Sequence, residues 1–284
     1  MNASTTDSLK QPMSTPAVRS THWLQHPALS GAVALVAGGG SGIGEATAHT
    51  LAAGGVRIAV ADRRLEMAQQ VAADIEKTGA KAIAIGMDVT SQEDIDAALA
   101  RLKLEFGRLD LLVNTAGVIS PAELETLDLA EWRRSFEVNV DGALLLARSC
   151  LPLLRQSEIA SVVNVSSLAG GRGYPNGGAY GPSKAALISL SRQMALEWAP
   201  LGIRVNTVNP GTVDTPLTRA NMRPESIRDR ESRIPLHRIG QAGESGDLIA
   251  FLASPAASFI TAQDINCDGG LSQALMAQRF HANA

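Results

Sequence analysis

Five apolar residues, Val33-Ala34-Leu35-Val36-Ala37, run straight into Gly38-Gly39-Gly40-Ser41-Gly42-Ile43-Gly44, and helically spaced apolar positions (Ile43, Ala46, Leu51) begin among the glycines. A short, continuous apolar run of this kind reads as a strand buried on both faces, and such strands belong to parallel sheets covered by helices. The pattern then recurs. Strand candidates at 56–61, 81–87, 109–113, 161–165, 203–208 and 264–267 alternate with helix candidates at 64–78, 91–105, 128–150, 182–199 and 243–253. Strict βαβα alternation implies right-handed crossovers. The expected fold class is α/β: a single doubly wound Rossmann domain over 29–284, with a parallel sheet of about seven strands and helices on both faces.

Composition supports one large core. Hydrophobic residues are 45% of the 284 and charged residues 19%, which excludes a disordered chain, a collagen and a coiled coil. A net charge of −3 gives no electrostatic reason to bind nucleic acid or an anionic membrane. No apolar run reaches the length of a membrane-spanning helix. Cys150 and Cys267 stand far apart without metal-ligand spacing, so both read as reduced, buried thiols of a cytoplasmic protein, and no metal site is expected. Residues 1–28 are rich in Ser, Thr, Pro and Gln and read as a flexible tail; the alternative is docking of Trp23 and Leu24 against a neighbouring subunit.

In an open sheet of this class, ligands bind beyond the carboxyl ends of the strands. Functional residues are therefore expected just after each apolar run. The glycines after the first strand let the backbone turn tightly beside a ligand, and the helix N-terminus behind them suits a pyrophosphate. Asp62 ends the second strand, where a carboxylate can accept hydrogen bonds from the ribose hydroxyls of an adenosine and would repel a 2′-phosphate. Asp88-Val89 follows the third strand, with an adenine-side position and a helix N-cap as alternative readings. Asn114-Thr115-Ala116-Gly117 follows the fourth and Ser166-Ser167 the fifth. Tyr180 and Lys184 are four apart, so they share a helix face, and Pro182 confines them to its first turn. A phenol is a poor base at neutral pH, and a nearby ammonium favours the phenolate, so Lys184 is expected to lower the Tyr180 pKa.

Taken together, Gly38-x-x-x-Gly42-x-Gly44, Asn114-x-Ala116-Gly117, Asn139, Ser167, Tyr180-x-x-x-Lys184 and Pro210-Gly211 resemble the short-chain dehydrogenase/reductases, from about residue 29 to Asp268-Gly269-Gly270. The chain is similar to the single-domain branch of 3-oxoacyl-carrier-protein reductases and polyol or sugar dehydrogenases. The resemblance implies a tetrad. Tyr180 is its general acid/base, Lys184 lowers the Tyr180 pKa and holds the nicotinamide ribose, Ser167 polarises the substrate oxygen, and Asn139 holds a water linking Lys184 to solvent. Ser167 and Tyr180 are the implied substrate contacts; Ser166 is the false candidate, because the spacing to Tyr180 favours Ser167. The implied cofactor contacts are Gly38, Ser41, Gly42, Ile43, Gly44, Asp62, Asp88, Val89, Asn114, Ala116, Gly117, Tyr180 and Lys184, together with Pro210, Gly211, Val213 and Thr215 of a nicotinamide clamp. Ala37 and Thr115 depart from the family, which usually has Thr and Asn there.

The expected activity is interconversion of a secondary alcohol and a ketone by hydride transfer. NAD is preferred over NADP because of Asp62 and because Ser41 stands where many NADP-dependent relatives carry arginine; Arg63 and Arg64 argue the other way. A 3-oxoacyl thioester reductase using NADPH is the alternative, and a catalytically idle nucleotide-binding protein is the alternative of another class. Residues 212–236 resemble a substrate lid. Within it, Arg219, Arg223, Arg228, Arg230 and Arg233 read as one charged, solvated helix face, with recognition of an anionic substrate by a single arginine as the sharper alternative. Leu144-Leu145-Leu146 and Ala185-Ala186-Leu187-Ile188 carry apolar surface beyond what one sheet face covers, so a homo-oligomer, dimer or tetramer, is expected.

Overall fold

The computed structural model describes residues 22–274. Seven strands form one all-parallel sheet: β1 (Val33–Ala37), β2 (Arg57–Asp62), β3 (Ala82–Gly86), β4 (Leu111–Asn114), β5 (Ser161–Val165), β6 (Arg204–Pro210) and β9 (Asp264–Cys267), in the order 3-2-1-4-5-6-9. Two short strands, β7 (Val213–Asp214) and β8 (Gly240–Gln241), pair separately beside it. From β1 the chain goes outward to β2 and β3, then returns to place β4 on the other side of β1. The switch point thus lies between β1 and β4, where such sheets bind ligands.

Alternation along β1 divides the core in two. Ala34 and Val36 pack with α1 (Gly42–Ala53), α2 (Leu65–Lys77) and α10 (Ala242–Ala253). Val33, Leu35 and Ala37 face α3 (Gln92–Phe106), α5 (Gly142–Leu154) and α7 (Tyr180–Trp198). The strand is apolar at every position because both faces are covered. Local signals set the ends of the helices: Ser91 caps α3 by accepting from the Asp94 amide, and Gly107 closes it at φ +74°.

At the amino ends of the strands, buried charge is closed by the chain itself. The fully buried Asp110 carboxylate accepts from the Val33 amide (2.8 Å), from Arg108 Nε (2.9 Å) and Nη2 (2.7 Å), and from the Ser157 hydroxyl. Arg204 donates to the carbonyls of Leu252 (2.7 Å), Ala253 (3.1 Å), Ser254 (3.1 Å) and Ile260 (3.3 Å), satisfying the end of α10.

Four expectations are corrected. The segment just before residue 29 is not a free tail: 3₁₀ turns His22–Gln25 and Pro27–Leu29 lie on the chain's own body, Leu24 is buried against Gly54, and Trp23 meets Phe251 edge-on at 5.8 Å. Residues 1–21 lie outside the described residues. The single helix expected over 128–150 is α4 (Leu129–Phe136), a π turn (Glu137–Asp141) and α5, and the Gly142 amide bonds the Glu137 carbonyl. Cys150 is buried but Cys267 is only half-buried; both are free thiols. Leu146, Leu187 and Ile188 are buried within the subunit, so they add nothing to an exposed apolar face; Leu144 and Leu196 do, at 39% and 72% exposure. Among the described residues no helix is long and apolar enough to cross a membrane.

Candidate active site

Beyond the carboxyl ends of the strands lies a cleft of about 580 Å³. Its floor is the turn from β1 into α1. Gly38 has φ +73°, and a Cβ there would stand 2.7 Å from Thr115 Oγ1 and 2.8 Å from the Ala116 amide; a Cβ on Gly44 would strike the Gly38 carbonyl. Only glycine lets the loop fold this closely onto β4. Thr115 secures the same contact, with its hydroxyl 2.8 Å from the Ala37 carbonyl and 3.1 Å from that of Gly38. The departure at Thr115 therefore carries a role in the turn. Ser41, at the N-cap of α1, makes no side-chain capping bond, so the first-turn amides point at the cleft without a protein acceptor.

Asp62 closes one wall. Its Oδ2 accepts from the Gly40 amide (3.1 Å) and its Oδ1 from the Arg64 amide (3.0 Å), while Arg64 Nε turns back to within 3.9 Å of Oδ1. The carboxylate is thus fixed by backbone. Asp88 Oδ1 accepts from the Thr90 amide (2.9 Å) and hydroxyl (2.7 Å). Burial pushes the Asp88 carboxyl up, but these two bonds, with Arg134 and Arg63, outweigh it and hold the group below the usual carboxylate range. The N-cap of α3 is Ser91, so of the two readings for Asp88 the cap is excluded.

Gly38, Ser41, Gly42, Ile43, Gly44, Asp62, Asp88, Val89, Ala116, Gly117, Ser167, Tyr180, Lys184, Pro210, Gly211, Val213 and Thr215 all line this cleft. Asn114 does not: it lies beneath, accepting from the Ala116 amide at 3.2 Å. Asn139 is also outside the lining. Its Oδ1 accepts from the Val118 amide (2.8 Å), and its Nδ2 donates to the Val118 carbonyl (3.0 Å) and Ser183 Oγ (3.0 Å). The Ser183 hydroxyl in turn donates to the Tyr180 carbonyl (2.8 Å). Asn139 thereby ties the π turn to the first turn of α7, with one bond to its Oδ1 and both Nδ2 hydrogens used. Ser166 also lines the cleft, but its hydroxyl donates to the Lys184 carbonyl (2.8 Å), and Ser167 is the serine shared with a second cavity beyond it.

Ser167 begins α6 (Leu168–Gly171), accepting from the Ala169 amide, and its side chain lies near enough to the Tyr180 phenol to favour the phenolate. Lys184 Nζ donates to the Val165 carbonyl at 2.9 Å and lies 5.9 Å from the Tyr180 ring centre. The expected lowering of the phenol pKa is not found. Burial pushes the Tyr180 phenol up, the Ser167 hydroxyl opposes this, and Tyr174 adds to the rise. Burial alone brings Lys184 down to about 8. The reason is direction: the amine is aimed at a carbonyl in a dry site, so desolvation governs both groups.

A second cavity, also about 580 Å³, shares Ser167, Tyr180, Pro210 and Gly211 with the first. It is bordered by two helices of the 212–236 segment, α8 (Pro216–Asn221) and α9 (Pro224–Arg233), which lend it Leu217 and Arg230, with Met222 from the turn between them. Sequence reasoning missed Tyr174, whose ring meets that of Tyr180 edge-on at 6.3 Å. The available signal was its rarity, since the chain has only 2 tyrosines and both fall within seven residues.

A family model described as enoyl-(acyl carrier protein) reductase matches residues 37–272. The chain is 39% identical over 239 residues to the cis-4-hydroxycyclohexanecarboxylate dehydrogenase of Sinomonas cyclohexanicum, covering 84% of this chain and 95% of that one. It is 36% identical over 246 residues to a 3-oxoacyl-[acyl-carrier-protein] reductase of Synechocystis, covering 86% and 98%. A crystal structure of a short-chain type dehydrogenase/reductase from Mycobacterium marinum superposes with a TM-score of 0.83 at 34% identity, covering 88% and 98%.

Proposed function

The chain belongs to the short-chain dehydrogenase/reductase family, and from that premise we propose that it interconverts a cyclic secondary alcohol and its ketone with NAD as hydride carrier. It is an oxidoreductase acting on CH–OH groups with a nicotinamide dinucleotide. The observation that carries the finer reading is the Ser167–Tyr180 hydroxyl pair at the junction of two cavities, one fit for a dinucleotide and the other for a ring.

The chain's own groups fit the cofactor. The uncapped amides of α1 and the Cβ-free approach at Gly38 suit a pyrophosphate, and Asp62 suits the adenosine ribose. When bound, the nicotinamide supplies the hydride acceptor. Ser167 and Tyr180 hold the substrate oxygen by its two hydrogen-bonding directions. In alcohol oxidation the C–H bond breaks as hydride leaves, the C=O double bond forms, and the O–H proton passes to the oxygen of Tyr180 in its phenolate form. In ketone reduction Tyr180 returns that proton. Because burial keeps the phenol protonated at neutral pH, the resting side chain is ready to act as the acid of reduction, and oxidation gains as pH rises.

NAD is preferred over NADP because Asp62 is fixed by two amides and Arg64 is turned onto it, while Ser41 offers no cation to a 2′-phosphate. The test is kcat/KM for both cofactors across cyclic alcohols, polyols and a 3-oxoacyl thioester. The expected result is turnover of ring alcohols with NAD favoured, and a shift towards NADP in the Asp62→Ala/Ser41→Arg double variant. Preference for the thioester with NADPH would overturn the reading.

A further inference from the structure

The bordering segment 212–236 carries five arginines, and four of them behave alike. Arg219 pairs with Asp214 at 2.7 Å, Arg233 with Asp229 at 3.0 Å and Arg228 with Glu225 at 3.9 Å, while Arg223 is exposed at the start of α9. Arg230 differs. It alone among the five lines the second cavity, half-buried, and its bonds go to neutral oxygens: Thr212 Oγ1 at 3.3 Å and Tyr174 Oη at 3.4 Å. Its guanidinium carbon lies 5.5 Å from the Tyr174 ring centre.

The cavity as a whole repeats this imbalance. Arg172 also lines it, donating to the Gly171 and Ser272 carbonyls, and among the described residues no aspartate or glutamate does. Two cations, Arg172 exposed at the mouth and Arg230 half-buried, face a largely apolar cavity with no counter-charge from its lining. A guanidinium engaged only by long bonds to a hydroxyl and a phenol keeps N–H groups available for a planar, bidentate anion. Two contacts, 5.5 and 6.3 Å long, lead from Arg230 across Tyr174 to the Tyr180 ring. One compact molecule can therefore meet both ends.

We propose that the second cavity selects substrates bearing a carboxylate across the ring from the reacting oxygen, and that Arg230 is the residue that binds it. The proposal rests on the ring-alcohol reading above and names the charge that its substrate carries. Arg230 acts on specificity and not on hydride transfer, so its effect falls on KM.

The experiment compares 4-hydroxycyclohexanecarboxylate with its methyl ester and with cyclohexanol, using the full chain with NAD. The expected result is a kcat/KM for the acid at least about tenfold above that for the ester, the range of one charge-assisted pair. In Arg230→Met that advantage falls to near unity through KM, and Arg230→Lys restores part of it. Equal kcat/KM for acid and ester in the parent, or equal losses on both in Arg230→Met, would overturn the proposal. A second arm needs no turnover: cyclohexanecarboxylate and the neutral cyclohexanecarboxamide are titrated into the NADH-loaded protein by calorimetry. Preference for the acid, lost in Arg230→Met, supports the proposal even where no ring alcohol is oxidised, an outcome that would sink the ring-alcohol reading alone. No preference for the acid overturns the Arg230 assignment and leaves that reading standing.

Discussion

The two ends of the sheet treat charge in opposite ways. At the amino ends, Asp110 and Arg204 are surrounded by partners from their own chain, a carboxylate by amide, guanidinium and hydroxyl, and a guanidinium by four carbonyls. At the carboxyl ends, Lys184 has a single carbonyl, Arg230 has two long neutral contacts, and the first-turn amides of α1 have no side-chain cap. Burying a charge is tolerable when the chain completes its hydrogen bonds and costly when it does not. The incomplete end is therefore where a ligand finishes the bonding, and the complete end is where the fold is held.

Three measurements can break or sharpen this contrast. Tyr180→Phe removes one hydroxyl from the incomplete end; turnover should fall about 10²–10⁴-fold, while the thermal midpoint moves by no more than a few degrees. Turnover within about threefold of the parent would remove Tyr180 from the chemistry. Asp110→Ala acts at the complete end and should do the reverse. It leaves the buried Val33 amide without its acceptor, costing about 2 kcal/mol and roughly 4–8 °C in a chain of this size. Activity per folded molecule should stay near that of the parent; a parallel loss of both would mean the two ends are not separable.

The third measurement is of pH. Lys184 sits near 8 in the fold against 10.5 in the open chain, so between those values the unfolded state binds more protons. Stability should therefore rise with pH across that window, by at most about 1.4 kcal/mol per unit, and show no Lys184-dependent slope below it. Lys184→Met lacks the rise. Denaturant unfolding of both proteins from pH 7.5 to 10 reads the difference, and parallel curves would show that Lys184 is not strained by burial.

The inner strands were legible because β1 and its neighbours, covered on both faces, are written as apolar runs; the half-exposed edge strand β9, Asp-Ile-Asn-Cys, was read from the βα alternation, and all seven fall within two residues of their expected ends. The turn from β1 to α1 was legible because glycine has few substitutes at positive φ. Other parts were not. Helices α8 and α9 bury no residue, so they show no apolar periodicity, and only the Thr215-Pro216 cap and Pro224 mark their starts. The spacing of Tyr180 and Lys184 gave their shared face but not where the amine points, and that direction sets the phenol pKa. Arg230 is indistinguishable in sequence from its four neighbours, because pairing is decided by which carboxylates the helix brings alongside. A π turn has no residue signature at all.

That turn makes the region around Asn139 sensitive to length and indifferent to much of its spelling. Closing five residues in one turn takes up one residue more than an α-helix would. Deleting any single residue from 137–141 closes the segment as regular helix, keeps α4 and α5 facing as they do, and removes the bulge that carries Asn139. Leu146, Ala147 and Cys150 then keep their places in the core, and what is lost is the Asn139 bridge to Val118 and Ser183. Glu137 and Asp141 are exposed and can vary in kind. Within this stretch, inheritance can edit letters but cannot drop one.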